Sequence, residues 1–239
     1  MDTHQPLSRK ELRQQERERK HADQQHQLRA QKMKKRAIAL TVVVLVIAAV
    51  IGLVMLQQQK LNIVNVTPDP SKGSAQATVV VAEYADFQCP SCAASAPVVE
   101  ALVAEYGDAV RFEYNDFPLP QHEYALDAAI AAQCAFDQGK FFELHDILFD
   151  KQSEWSNALT HDSAQATMRA YAETLALDMT AFDSCVVSPE ISKRIDEDMI
   201  EARAAGVNST PTFFVNGKRV TDTPFSVNVK KAIDEALAE

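Results

Sequence analysis

Two cysteines separated by two residues, Cys89 and Cys92, are the side chains whose types and spacing most directly suggest chemistry. The preceding segment, 78–84, is rich in β-branched residues and predicts a buried strand, and an alanine-rich segment typical of a helix follows. Cys89 then occupies the N-cap position and Pro90 the first helical position. Because the helix N-terminus stabilises a thiolate, we predict Cys89 as the nucleophile and Cys92, one turn inside, as the resolving thiol.

The same cysteine spacing occurs in zinc sites and in disulfides that are only structural. A structural zinc site needs four ligands, and this sequence has no second Cys-x-x-Cys pair and no close pair of histidines. His122, His145 and His161 are scattered, which favours core or surface roles over ligation. We therefore predict a redox pair that needs no metal and no dissociable cofactor, with a metal site or a structural disulfide as the alternatives.

The elements around the cysteines follow the order strand, helix, strand. Gly107 can end the helix that begins at Pro90, and 110–114 predicts the next strand. An Asn216-Gly217 pair between apolar runs is a strong signal for a two-residue hairpin, because both positions need positive φ. The pattern also predicts four helices, at 123–138, 141–149, 163–175 and 189–205. Two short strands, at 212–215 and 218–220, and a final helix, at 226–237, are predicted to follow.

Three blocks of sequence resemble those of the DsbA-like thiol–disulfide oxidoreductases. Residues 81–92 read VAEYADFQCPSC, residues 131–142 read AAQCAFDQGKFF, and residues 206–217 read GVNSTPTFFVNG. The blocks stand in the family's order, and the resemblance spans roughly residues 79–237. It implies an α/β protein with a thioredoxin fold, which is interrupted by a helical insertion at about 121–205.

The resemblance also implies roles for three residues outside the cysteine pair. Pro211 would be a cis-proline facing the pair, with Thr210 before it, so that an extended client peptide can pair with the backbone there. An ordinary trans proline at the start of a strand is the alternative. Glu83 would be a buried acid that helps to move the proton of Cys92. A solvent-facing salt-bridge partner is its alternative, although burying an unpaired charge in a strand is costly.

The dipeptide between the cysteines, Pro90-Ser91, departs from the pattern of the best-known oxidases. It lacks the histidine that makes the strongest members of the family so oxidising, so the direction of electron flow stays open. No tryptophan precedes Cys89, which separates this chain from classical thioredoxins and from cytochrome-maturation reductases.

The remaining cysteines, Cys134 and Cys185, lie on apolar stripes within the predicted insertion. Read singly, each is typical of a small buried hydrophobe. An even number of cysteines in an exported chain favours pairing, and some relatives carry a second disulfide in this region. We therefore predict a structural Cys134–Cys185 disulfide without a catalytic role.

Charge divides the chain into two unequal parts. The 239 residues include 24 Lys and Arg against 33 Asp and Glu, yet residues 1–36 alone carry 11 Lys and Arg against 5 Asp and Glu. The larger, acidic part would repel phosphate, which excludes a simple nucleic-acid binder. Residues 37–56 are uncharged and apolar, long enough as a helix to span about 30 Å of bilayer.

These features predict a basic cytoplasmic tail (1–36), a transmembrane helix (37–56) that anchors the chain in the lipid bilayer, a linker (57–76) and one domain (77–239). By the positive-inside rule, the domain would be extracytoplasmic on a single-pass protein of the cell membrane. A cleaved signal peptide and a buried core helix are the alternatives to the anchor.

The resulting hypothesis is an enzyme that introduces disulfides into unfolded or reduced exported proteins and is reoxidised by a membrane redox partner. A disulfide reductase or isomerase is the first alternative. The second is a non-catalytic thioredoxin-fold protein that binds peptides or a metal.

Overall fold

The computed structural model describes residues 69–221 and 225–239, and a five-stranded sheet organises them. The strands are β1 (Ser71–Lys72), β2 (Val79–Ala85), β3 (Val110–Asp116), β4 (Thr212–Val215) and β5 (Lys218–Arg219), in the order β1-β3-β2-β4-β5. Strands β2 and β3 are parallel, and the other neighbours are antiparallel. Helix α1 (Pro90–Tyr106) joins β2 to β3, because a parallel pair needs a crossover connection.

Six helices lie between β3 and β4, and one more follows β5. They are α2 (Ala125–Phe136), α3 (Phe141–Asp150), α4 (Gln152–Ser156), α5 (His161–Thr174), α6 (Met179–Val186), α7 (Pro189–Ala204) and α8 (Phe225–Leu237). Helices α4 and α6 are absent from the predicted elements. Helix α5 begins earlier than predicted because Thr160 and Ser163 form a capping box ahead of it.

Two of the three apolar cores of the described residues lie on the elements that carry the two cysteines. One lies between the sheet and helices α1 and α8, where Val81, Phe213 and Ile233 are buried. The other fills the helical insertion and includes both Cys89 and Cys92. Helix α2 contributes mainly buried alanines to this core, whereas Leu126 on the same helix is 47% exposed. The active-site end of β2 and α1 is therefore packed by the insertion.

The hairpin between β4 and β5 is confirmed at Asn216 and Gly217. Their φ angles are 47° and 73°, as a two-residue turn of this type requires. Asn216 also fixes the start of β2, because its N–H donates to the Val80 carbonyl oxygen and its Oδ1 accepts from the Val80 N–H, both at 2.8 Å.

A disulfide joins α2 to α6 within the insertion. It links Cys134 and Cys185, whose Cα atoms are 5.7 Å apart across a sequence separation of 51 residues. Cys134 is fully buried. The bond ties together helices that the intervening α3, α4 and α5 separate in the chain.

The start of the described chain corrects one predicted boundary. The predicted linker, 57–76, includes strand β1, which pairs with β3 through Ser71 opposite Glu113 and Lys72 opposite Phe112. Gly73 follows at φ +91°, where an added Cβ would lie 2.1 Å from the Val110 carbonyl oxygen. This close approach requires glycine. The predicted tail (1–36) and transmembrane helix (37–56) lie outside the described residues.

Candidate active site

The two central thiols sit at the first turn of α1. Cys89 is the N-cap residue, with Pro90 at the first helical position, and its carbonyl oxygen accepts from the N–H groups of Cys92 and Ala93, both at 3.1 Å. Both cysteines are free thiols in this structure. Cys89 is 7% exposed and Cys92 is completely buried. Only the first sulfur therefore lies within reach of a partner.

The environment of Cys89 favours its thiolate. A hydrogen bond from the Cys92 thiol is the largest cause that lowers the pKa of Cys89, which falls to about 5 against the opposing effect of burial. Thr210 and the backbone N–H groups of Cys92 and Ser91 act in the same direction. Both N–H groups belong to the first turn of the helix, whose N-terminus favours a negative charge. Ser91, in the dipeptide between the cysteines, thus contributes its backbone to the site.

Cys92 is affected in the opposite sense. Burial is the largest cause that raises the pKa of its thiol, followed by its hydrogen bond to Cys89 and by the charge of Glu83. A thiol with a raised pKa keeps its proton and can donate it to the neighbouring thiolate. The two sulfurs are thus chemically distinct although they are three residues apart.

Glu83 lies on β2 beneath the pair and is 8% exposed. Burial raises the pKa of its carboxyl group to about 8, and a hydrogen bond from Ser95 only partly opposes this. Ser95 Oγ is 3.4 Å from Glu83 Oε1 and 2.8 Å from the carbonyl oxygen of Cys92. Ser95 therefore lies between the carboxyl group and the turn that carries the inner cysteine.

A small cavity connects Glu83 to the side of the sheet. Its volume is about 30 Å³, and its lining includes Glu83, Tyr114 and His145, with the Lys72–Glu100 ion pair among the other lining groups. A space of this size holds about one water molecule. The Tyr114 hydroxyl is buried and has no hydrogen-bond partner. Glu83 therefore shares this cavity with the polar side chains of Tyr114 and His145.

The loop before β4 faces the first cysteine. The Thr210–Pro211 peptide bond is cis, and the carbonyl oxygen of Thr210 lies 3.5 Å from Cys89 Sγ. The Thr210 hydroxyl is buried, and the Thr210 side chain acts to lower the pKa of Cys89. Thr212 Oγ1 donates to the Ser209 carbonyl oxygen at 2.7 Å and closes this loop. The structure therefore brings Thr210 to Cys89 from a position 121 residues away.

Several polar residues around the cysteines were not predicted. Asp86 is 1% exposed and accepts hydrogen bonds from Leu119, Gln88 and His122. Gln152 on α4 donates to the carbonyl oxygens of Phe87 and Cys89, at 2.7 Å and 3.1 Å. The only feature of the sequence that could have indicated this network is the position of Asp86, three residues before Cys89. His122, which the sequence analysis set aside, joins this network.

No group of three or more potential metal ligands occurs among the residues that the model describes. Cys89 and Cys92 alone provide two of the four ligands that a structural zinc site requires. The arrangement of the described side chains fits a dithiol more closely than a metal centre.

A dithiol at a helix start, facing a cis-proline loop on a mixed sheet, defines a thioredoxin-fold protein. Residues 64–235 match the family model described as thioredoxin. The chain belongs to this family, which confirms the predicted α/β thioredoxin fold and, at this level, the predicted resemblance.

Several solved structures are similar to this chain. A thioredoxin-like oxidoreductase from Silicibacter pomeroyi DSS-3 shares 26% identity at a TM-score of 0.59, over 71% of this chain and 92% of that chain. Wolbachia pipientis alpha-DsbA1 shares 21% identity at a TM-score of 0.63, over 74% of this chain and 94% of that chain. Bacillus subtilis BdbD shares 21% identity at a TM-score of 0.60, over 72% of this chain and 94% of that chain. At 21% identity, the last two structures show a similarity of fold alone.

The curated relatives are much longer proteins that are named as Na(+)/H(+) antiporters. The Na(+)/H(+) antiporter NhaA 3 of Salinispora tropica is 39% identical over 160 residues, which cover 66% of this chain and 23% of the relative. An antiporter NhaA of Herminiimonas arsenicoxydans is 33% identical over 152 residues. The chain spans about a quarter of the length of these relatives.

The predicted localisation, a single-pass protein of the cell membrane with an extracytoplasmic domain, is wrong on these findings. The relatives that share this domain are named as antiporters rather than as anchored oxidoreductases. Within residues 69–221 and 225–239, no helix is both long and apolar enough to cross a bilayer.

Proposed function

We propose that this protein is a thiol–disulfide oxidoreductase that introduces disulfides into client proteins through Cys89 and Cys92. The observation that carries the proposal is the asymmetry of the two thiols, since the pKa of Cys89 is lowered to about 5 whereas that of Cys92 is raised. A thiolate that is stable at neutral pH stabilises the reduced pair, so the oxidised pair tends to pass its disulfide to another thiol. A low pKa also makes Cys89 a good leaving group.

The reaction begins with the oxidised pair. A client thiolate attacks the Cys89 sulfur, the Cys89–Cys92 bond breaks, and Cys92 leaves with the electron pair. A second client thiolate then attacks the client sulfur of this mixed disulfide, which releases the client disulfide and the Cys89 thiolate. The pair has gained two electrons, and a redox partner with its own disulfide must remove them before the next cycle.

Glu83 has the role of proton donor and acceptor for Cys92 in this scheme. With a pKa of about 8, its carboxyl group holds a proton at neutral pH and can pass it to Cys92 as that sulfur leaves. Ser95, which contacts both Glu83 and the Cys92 backbone, positions the carboxyl group beneath the turn. During reoxidation the same proton returns to Glu83.

Thr210 and Pro211 provide the surface on which the client lies. The cis bond places the Thr210 backbone beside Cys89, where an extended peptide can pair with it and present a cysteine to the sulfur. Clients are therefore proteins with cysteines in extended or unfolded segments. The oxidoreductase from Silicibacter pomeroyi, with a similar fold at 26% identity, supports this class of activity.

The experiment that tests the proposal is a redox titration of the full chain against glutathione buffers, with the Cys89–Cys92 state read by mass spectrometry. We expect a reduction potential well above that of thioredoxin, which is about −270 mV. A value near that of thioredoxin would instead support a reductase or isomerase. A pair whose redox state does not respond to the glutathione buffers would support a peptide- or metal-binding protein.

Two variants serve as controls in an assay of peptide oxidation that accompanies the titration. Cys89→Ser removes the predicted nucleophile and should abolish oxidation of a reduced peptide with two cysteines. Replacing Glu173, an exposed residue on α5, by glutamine should leave that activity unchanged. Activity retained by Cys89→Ser would contradict the assignment of the nucleophile.

A further inference from the structure

The active-site turn, which we define as residues 86–89 between β2 and α1, is held by an acid that the reaction scheme does not use. Asp86 is 1% exposed. Its Oδ1 accepts from the N–H of Gln88 at 2.7 Å. Its Oδ2 accepts from the N–H of Leu119 at 2.8 Å and lies 2.7 Å from His122 Nδ1. Three donors thus converge on one buried carboxylate, and two of them come from the loop after β3.

His122 completes a closed arrangement on that loop. Its backbone N–H donates to the carbonyl oxygen of Leu119 at 2.9 Å, while the Leu119 N–H donates to Asp86. Asp86 accepts hydrogen bonds from the backbone N–H groups of Gln88 and Leu119. We therefore assign Asp86 as the acceptor from His122 as well, which places the imidazole proton on Nδ1. The arrangement fastens the active-site turn to a loop that follows 33 to 36 residues later in the chain.

Asp86 contacts both cysteines through its backbone. The Cys89 N–H donates to the Asp86 carbonyl oxygen at 3.0 Å. The backbone of Asp86 also acts to lower the pKa of the Cys92 thiol. A displacement of Asp86 therefore shifts the two sulfurs relative to each other and relative to the N–H groups at the start of α1.

We propose that Asp86 and His122 form a positioning pair, which holds the active-site turn in the geometry that stabilises the Cys89 thiolate. Neither side chain touches a sulfur, so both act through the backbone of the turn. The importance of the pair for catalysis rests on the proposed function, whereas its effect on the thiolate is a property of the fold. Burial of Asp86 makes the role costly to lose, because a buried carboxylate without its donors is destabilising.

The test compares the rate of Cys89 alkylation by iodoacetamide, measured between about pH 4 and 9, in wild type and in variants of His122. His122→Leu removes the side-chain donor, whereas His122→Asn keeps an amide donor. We expect the leucine variant to react roughly fivefold more slowly near pH 6, the change that loss of one hydrogen bond to a charged group typically produces. The asparagine variant should regain most of the wild-type rate.

A matched control comes from another histidine–aspartate pair, which lies within the insertion. His161 Nδ1 lies 2.6 Å from Asp127 Oδ2, but its side chain is 55% exposed and bonds to α2 rather than to the turn. His161→Leu should therefore leave the alkylation profile unchanged. Asp86→Asn serves as a second variant, since it keeps the shape of the side chain and replaces one acceptor with a donor.

The outcomes separate this inference from the proposed function. If wild-type Cys89 titrates well below a free cysteine and His122→Leu matches it while folded, the positioning role is wrong and the proposed function stands. If wild type itself shows no low-pH thiolate, the proposed function fails. Folding of each variant is read from the fluorescence of Trp155, the single tryptophan. A loss of stability without a change in the alkylation profile would mean a purely structural role.

Discussion

The Sγ atom of Cys89 lies 3.5 Å from the carbonyl oxygen of Thr210, which precedes a cis-proline on the neighbouring loop. This contact places the first sulfur of α1 beside the backbone of the loop before β4. The first thiol and the cis-proline loop therefore form one site, although 121 residues separate Cys89 from Thr210 in sequence.

Replacing Cys92 by alanine should trap clients on Cys89. The remaining thiolate can attack a client disulfide, but no inner thiol is present to release the adduct. Incubation with an oxidised peptide that contains one disulfide should give a stable mixed disulfide, visible as a mass increase on the peptide that contains Cys89. The double variant Cys89→Ser, Cys92→Ala is the control. An adduct on any other cysteine would show that Cys89 is not the attacking residue.

Replacing Glu83 by glutamine should slow the exchange of the pair. Without a carboxyl group beneath it, Cys92 must exchange its proton with solvent. We therefore expect the reduction of the Cys89–Cys92 disulfide by a dithiol to slow by roughly a hundredfold near pH 7. Stopped-flow fluorescence with Trp155 as the probe can follow this step. An unchanged rate, with the variant folded, would remove Glu83 from the mechanism.

The same substitution should flatten the dependence of stability on pH. Glu83 has a pKa of about 8 in the folded protein and an ordinary value of 4.5, so above pH 4.5 the unfolded chain loses its proton while the folded chain keeps it. The free energy of unfolding therefore falls from pH 4.5 towards 8, by up to about 1.4 kcal/mol per pH unit for this group.

Urea unfolding at about pH 5 and pH 8 measures this effect. Glu83→Gln should lose less stability than wild type between the two pH values. Other buried carboxyl groups with raised pKa values, such as Asp116 and Asp198, remain in both proteins and act in the same direction. Parallel stability curves for the two proteins would contradict the raised pKa of Glu83.

Much of the site could be predicted from short segments of sequence. The helix start at Cys89 and Pro90 depends on local preferences alone, and so does the turn at Asn216 and Gly217. The Asp86–His122 contact could not be predicted in this way. It joins two loops 36 residues apart, and nothing in either segment indicates that they meet.

Packing explains the other differences between prediction and structure. Strand β1 is only two residues long, so its pairing with β3 depends on the edge that β3 leaves open rather than on any pattern in Ser71 and Lys72. Leu126 fits an apolar stripe by spacing, but the alanines of α2 allow its neighbours to pack closely and leave Leu126 half exposed. Such outcomes depend on neighbours that are remote in sequence.

Loss of the Cys134–Cys185 disulfide should lower stability without removing activity. The bond closes a loop of 51 residues, for which chain entropy gives about 4 kcal/mol of stabilisation. A Cys134→Ala, Cys185→Ala variant should therefore show a reduced free energy of unfolding in urea. Its rate of peptide oxidation, measured under conditions where it is folded, should stay close to that of wild type. A large loss of rate in the folded variant would assign this disulfide a part in the chemistry.

The most direct test of the central claim is the titration of the Cys89 thiolate in the reduced protein, followed by absorbance at 240 nm. Cys89→Ser provides the baseline. We predict a transition centred near pH 5 in wild type that is absent from the variant. A wild-type transition near 8.5, the ordinary pKa of a free cysteine, would contradict the account.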